Sequence, residues 1–231
     1  MPLLDHFRPP LGHARPWEGF FSGWAVAITG SLNAAMPGGY FAAPNIDFRI
    51  AADLAAVREP GSEWPDEFDP PRRLTPGAPT ATVPFAVASD EVEVRFFDSG
   101  AALIGVIELV SPAHKDCPAT RDGFNARCLT YLKSGVGVLV VDVVTTESAD
   151  LHAELMRRIN PDLPAAPIRS LAATSYRPDP GRLEFWRELL AVGGVLPTMP
   201  LWLKTGPCLP VDLEATYQQA RLNLRIGDQW G

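Results

Sequence analysis

Two stretches of this chain are apolar at almost every position: ALIGVIELV at 102–110 and GVLVVDVV at 137–144. A strand with one face in water alternates apolar and polar side chains. Unbroken aliphatic runs of this length instead suit strands covered on both faces, as in the middle of an α/β sheet. Between them, residues 119–134 carry Phe124, Cys128, Tyr131 and Leu132 on one helical face, and Gly135 ends the pattern. This pair sets the expected fold class: α/β, a mixed sheet flanked by helices.

The surrounding segments extend that sheet. After Pro16, residues Trp17, Phe20, Phe21, Trp24, Ile28 and Leu32 form a broad apolar stripe at helical spacing, and MPGG at 36–39 stops it. YFAAPNIDFRI and AADLAAV read as two strands joined by a short turn, and the alternating EVEVRFF at 91–97 as a half-exposed strand. A short helix is expected around Ala149 to Arg158. SLAATSYRP and RLEFWREL suggest strands or a hairpin. VDLEATYQQARLNLRI places Leu213, Tyr217, Ala220 and Leu224 on one face of a terminal helix. Pro makes up 24 of 231 residues, about twice the usual ~5% share, and seven of them fall within 59–84, which reads as a loop insertion. The chain is thus expected to be one domain. It divides into an extended N-terminal arm (1–15), a core (16–58 and 90–160), a Pro-rich insertion (59–89) and an irregular C-terminal extension (161–231).

Charge and cysteines narrow the functional classes. A formal net charge of −7 counts against simple nucleic-acid binding, which normally shows as a basic surface, though a local basic groove can coexist with it. Three cysteines (117, 128 and 208) without a CxxC spacing read as small buried apolar residues in a reducing compartment. The start MPLLDHFRPPL lacks the pattern of a secretory signal, and no apolar run approaches the ~18 residues of a membrane span. A cytoplasmic protein without a membrane association is the expectation. No GxGxxG, P-loop, GxSxG or HExxH pattern occurs, which removes the commonest nucleotide, serine-hydrolase and zinc readings.

The chemistry is expected where acids interrupt apolar strands. Asp53 sits in AADLAAV and Glu108 in VIELV, just before Ser111-Pro112-Ala113-His114-Lys115. A buried carboxylate needs a cation or hydrogen bonds. Two carboxylates converging from separate strands would suit a hard divalent ion, which takes one or two carboxylates plus water and phosphate oxygens. Equally, each acid can cap its strand or pair with an arginine. Glu18, beside the first helix's apolar stripe, is either a third carboxylate or a first-turn acid facing the helix dipole. His114 reads as an exposed loop residue beside Lys115, Tyr131 as packing. Asp142 is open between a structural acceptor and the edge of a site.

The run ELVSPAHKD, then RDGFNARCLTYLKSG, then GVLVVDVV resembles the core of the PD-(D/E)XK restriction-endonuclease-like superfamily. It is most similar to the bacterial Uma-type endonucleases and to a related family with an E-L-L-S-P-x-N-K signature. The residues carrying the resemblance are Glu108, Ser111 and Pro112, then Arg127 and Tyr131, then Gly135, Val136 and Asp142. It covers about residues 17–145 and is strongest over 103–145. The resemblance implies a restriction-endonuclease-like sheet, with Asp53 and Glu108 binding Mg2+ or Mn2+, and DNA as substrate. A homodimer is a further expectation. In that superfamily a lysine two residues after the second acid orients water, and here that position is Val110. Lys115 from the following loop, or Arg127 from the helix, would take over as the cation facing phosphate. Arginine holds phosphate well but is a poor base. The residue before Asp53 is Ala52 rather than proline. Two other functions stay open: an inactive nuclease-fold module that binds a partner, and a hydrolase of another phosphoester.

Overall fold

The computed structural model describes residues 2–48, 50–68, 70, 74–87, 95–96, 101–162, 171–204 and 206–227, with backbone alone at 45–48, 50–53 and 95–96. The elements are α1 (Leu11–Ala14), α2 (Trp17–Asn33), β1 (Tyr40–Phe48), β2 (Ile50–Arg58), β3 (Ala81–Pro84), β4 (Arg95–Phe96) and β5 (Ala101–Leu109). There follow α3 (Pro112–Lys115), α4 (Pro118–Lys133), β6 (Gly137–Asp142), α5 (Leu151–Ile159), β7 (Leu171–Asp179) and β8 (Arg182–Leu190). The chain closes with β9 (Thr198–Trp202), β10 (Cys208–Asp212) and α6 (Leu213–Asn223).

The main sheet runs β1-β2-β5-β6-β7-β8-β3, with β4 added against the start of β5. Only β5 and β6 pair in parallel, with Glu108 opposite Val140 and Leu109 opposite Val141. Their connection is the β5–α4–β6 crossover, which a parallel pair requires. The other ladders are antiparallel, including β2 on β5 and the β7–β8 hairpin. The fold is therefore α/β, a mixed, mostly antiparallel sheet with helices on its faces. Every residue of β5 is buried.

Alternation along the strands sorts the core into two layers. Ile104, Ile107, Leu139 and Val141 face α2, α6 and the β9–β10 pair. Leu103, Val106, Val110, Val138 and Val140 face α4 and α5 through Phe124, Cys128, Tyr131, Leu132 and Leu155. Glu108 stands between Val106 and Val110 in the strand, so it belongs to the α4 face. Among the described residues no helix is long and apolar enough to cross a membrane.

Three expectations need correction. The segment 1–15 is not simply an extended arm: Leu3, Leu4, His6 and Leu11 are buried against α2 and α6, and α1 falls within it. Apolar burial holds it, reinforced by Leu4 N–H donating to the Tyr217 hydroxyl at 2.9 Å. The Pro-rich segment is not only a loop, since β3 closes one edge of the sheet by pairing with β8. An edge tolerates Pro84, the last residue of β3, because one side of the strand owes no hydrogen bonds. Finally, the C-terminal portion is not an appendage: β7 and β8 are main-sheet strands. Of the strand read at 91–97, only Arg95–Phe96 lies within the described residues.

Candidate functional site

Glu108 ends up at the C-terminal end of β5 because the parity that puts Val106 and Val110 against α4 puts it there too. It is 1% exposed. Arg127 lies on α4 and lays its guanidinium across the carboxylate, Nε to Oε1 at 3.1 Å and Nη2 to Oε2 at 3.2 Å. This two-pronged geometry is the strongest form of such a pair. The guanidinium also stands 5.4 Å from the centre of the Phe124 ring. Burial works against the charge on Arg127, but the Glu108 carboxylate outweighs it and holds the guanidinium above its ordinary pKa. Cys128, buried beside them, has its thiol pushed well up by burial and then by the Glu108 charge.

Lys115 does not reach back to Glu108. Its ammonium donates to Asp142 Oδ2 at 2.9 Å, and the lysine is 4% exposed. Asp142 Oδ1 accepts the Val144 N–H at 3.1 Å. Burial nevertheless dominates, so the Asp142 carboxyl sits above its usual range despite the ammonium beside it. Each of the two cations read from the sequence thus has an acid of its own: Arg127 takes Glu108 and Lys115 takes Asp142. Spacing could not show this, because Lys115 and Asp142 are 27 positions apart and Arg127 and Glu108 are 19 apart.

Asp53 lies on β2, and its side chain is outside the described residues. Its neighbour Leu54 is opposite Ile107 in the β2–β5 ladder. Asp53 is the residue before Leu54, and Glu108 the residue after Ile107.

His114 is not a solvent-exposed loop residue. It occupies the third position of α3, its Nδ1 accepts the Ser111 N–H at 3.2 Å, and its ring lies 5.0 Å from that of Phe124. Burial, and then the nearby Arg127 charge, lower its pKa to about 4. Glu18 is exposed on α2, the helix layer across the sheet from Glu108. It lines a cleft of about 270 Å3 over the end of β5, together with Ser111 and His114. Tyr131 is fully buried, as read.

A divalent ion would need more than the described donors offer. They supply Glu108, already engaged by Arg127, and Asp142, already engaged by Lys115. Among the described residues no group of three or more His, Cys, Asp or Glu is placed to hold a metal. A metal would also require Asp53 and the withdrawal of the guanidinium. Sequence reading missed the N-terminal arm's part in this end of the sheet, where Arg8 donates to the Thr145 carbonyl at 2.7 Å and Thr145 donates to Asp5 at 2.7 Å. Its residues are too short a run between prolines to show periodicity. Comparison with known proteins supplies no precedent for this arrangement: no family model, no curated protein and no solved structure matches the chain.

Proposed function

We propose that the chain is a nuclease-like phosphodiester hydrolase that uses Mg2+ or Mn2+ at Asp53 and Glu108, with DNA as substrate. The observation that carries the reading is the fully buried Glu108 carboxylate at the C-terminal end of β5, next to Ile107, which pairs with Leu54 of β2, the residue after Asp53. The ends of central strands are where α/β folds hold ligands. Divalent ions supply charge stabilisation at a scissile phosphate and a more acidic bound water. In this chain Glu108 and Asp53 would hold the ion, and Arg127 would move from the carboxylate to a phosphate oxygen when the ion arrives. Lys115, tied to Asp142, is the weaker candidate for that second role.

The reading is tested with supercoiled plasmid DNA and Mg2+ or Mn2+. Nicking is expected with the native chain, with at least a hundredfold loss in Glu108→Gln and Asp53→Asn. Nicking unchanged in both variants would show that the activity lies elsewhere.

A second reading, an inactive module of the same fold that binds a partner, is favoured by the Glu108–Arg127 pair itself. A guanidinium bound two-pronged to the carboxylate satisfies it without metal. Titration of Mg2+ by calorimetry separates the two. Binding in the micromolar to millimolar range that disappears in Glu108→Gln belongs to the first reading, and no heat at any concentration to the second.

A further inference from the structure

At the end of the main sheet where β6 and β8 finish and β7 begins, a cavity of about 500 Å3 opens beside Lys115. Its size falls within the roughly 300–1,000 Å3 common for small-molecule sites. Three parts of the chain wall it: the arm through Asp5 and Arg8, the 144–149 loop after β6, and Leu171 with Val192 from the hairpin.

Donors outnumber acceptors around it. The Lys115 ammonium has three N–H groups, and Asp142 takes one at 2.9 Å. Arg8 has five N–H donors, of which Nη2 is spent on the Thr145 carbonyl at 2.7 Å. The Thr146 and Ser148 hydroxyls line the same space and have no hydrogen bond among the described residues. On the acceptor side, Asp5 Oδ1 is occupied three times over, by Phe7 N–H at 3.0 Å, Arg8 N–H at 3.2 Å and the Thr145 hydroxyl at 2.7 Å. Glu147 is the remaining carboxylate on the wall.

The geometry points to a binding site for a small phosphomonoester that carries hydroxyl groups, with its phosphate between Lys115 and Arg8 and a hydroxyl toward Glu147. A buried ammonium with spare N–H groups and a guanidinium from a second segment are the side chains that take phosphate oxygens. Thr146 and Ser148 add neutral donors suited to the remaining oxygens. A plain cation would meet the ammonium first, and a purely apolar ligand would leave these donors unsatisfied. The site contains neither Asp53, Glu108 nor Arg127, and shares with the cleavage reading only Lys115, the weaker candidate there.

The test is thermal unfolding and calorimetry with inorganic phosphate and with ribose 5-phosphate, against sodium chloride at matched ionic strength and ribose alone. Ribose 5-phosphate at about ten times its Kd is expected to raise Tm by about 3 °C or more. Inorganic phosphate should bind more weakly, and ribose should have no effect. Arg8→Gln, at an exposed position, and Thr146→Val should each weaken binding, Arg8→Gln at least tenfold. Glu108→Gln should bind ribose 5-phosphate as the native chain does, while losing any Mg2+ binding. A 5′-phosphorylated oligonucleotide compared with its 5′-hydroxyl form distinguishes a strand end from a free sugar phosphate as the source. No phosphate-specific shift in the native chain, or undiminished binding in both Arg8→Gln and Thr146→Val, overturns the proposal.

Discussion

Glu108 is 1% exposed, and an ionised carboxylate in that position needs compensation worth several kcal/mol. Arg127 supplies it at 3.1 and 3.2 Å. Because the acid is the more deeply buried partner, removing the arginine takes away the cation that holds its charge. Arg127→Met is expected to destabilise the chain by about 3 kcal/mol in urea unfolding at pH 7. Glu108→Leu combined with Arg127→Met should recover most of that, since an apolar pair of similar volume avoids the desolvation cost. A single mutant that costs less than about 0.5 kcal/mol would mean that the pair is not what keeps Glu108 in place. The sequence marks Glu108 as exceptional because an acid breaks an aliphatic run. It does not mark which cation answers it, since a side-chain pairing between a strand and a helix depends on how α4 rotates onto the sheet.

Among the elements, β5 and β6 were the most legible, because burial on both faces leaves an aliphatic run no other explanation. α2 and α4 followed from their stripes. β9 was not legible, being short and interrupted by Pro200. It lies across the sheet on the α2 side, and the approach is close at Gly137: a Cβ there would stand 2.1 Å from the Trp202 carbonyl oxygen. That oxygen is backbone and cannot rotate away. Gly137→Ala should therefore cost about 2–3 kcal/mol, by forcing β9 off the sheet or distorting β6. Gly105→Ala is the comparison, because its nearest neighbour is a side-chain atom, Leu203 Cδ2 at 3.0 Å. It should be the milder of the two in thermal unfolding, and equal losses would show that the crossing of β9 over β6 is looser than the geometry states.

On the scale of the molecule, the arm and the last helix meet. His6 stacks on Phe20 at 3.8 Å between ring centres and shares a 2.8 Å hydrogen bond with the Tyr217 hydroxyl. Burial, then the Arg221 charge, lower its pKa to about 4, against a smaller opposing effect of Asp5. The unfolded chain takes up a proton near pH 6.5 that the folded chain refuses until about 4. Stability is thus complete above pH 6.5 and falls as the pH drops through that window, His6 contributing on the order of 3 kcal/mol. His114 and His152 are lowered to about 4 as well, burial being the first cause in each. His6→Gln should make the plot of unfolding free energy against pH shallower by about one proton between pH 6.5 and 4. An unchanged slope would mean that His6 is accessible to solvent in the folded state. The arm's place could not be read from sequence, because Leu3, Leu4, His6 and Leu11 follow neither a helical nor a strand period. What recruits them is a groove shared by α2, close by in sequence, and α6, more than 200 residues later.

That separation bears on how the protein is made. Residues 3–6 are synthesised more than 200 positions before Tyr217, whose hydroxyl takes the Leu4 N–H and shares a hydrogen bond with His6. During synthesis α2 offers Phe20 to His6 early, but the Tyr217 half of the groove is still missing. Complete docking must then be a late event that closes a contact of long sequence separation. A nascent chain halted before Tyr217 would leave Leu4 and His6 without that partner and the groove half built, a surface for whatever chaperone is at hand.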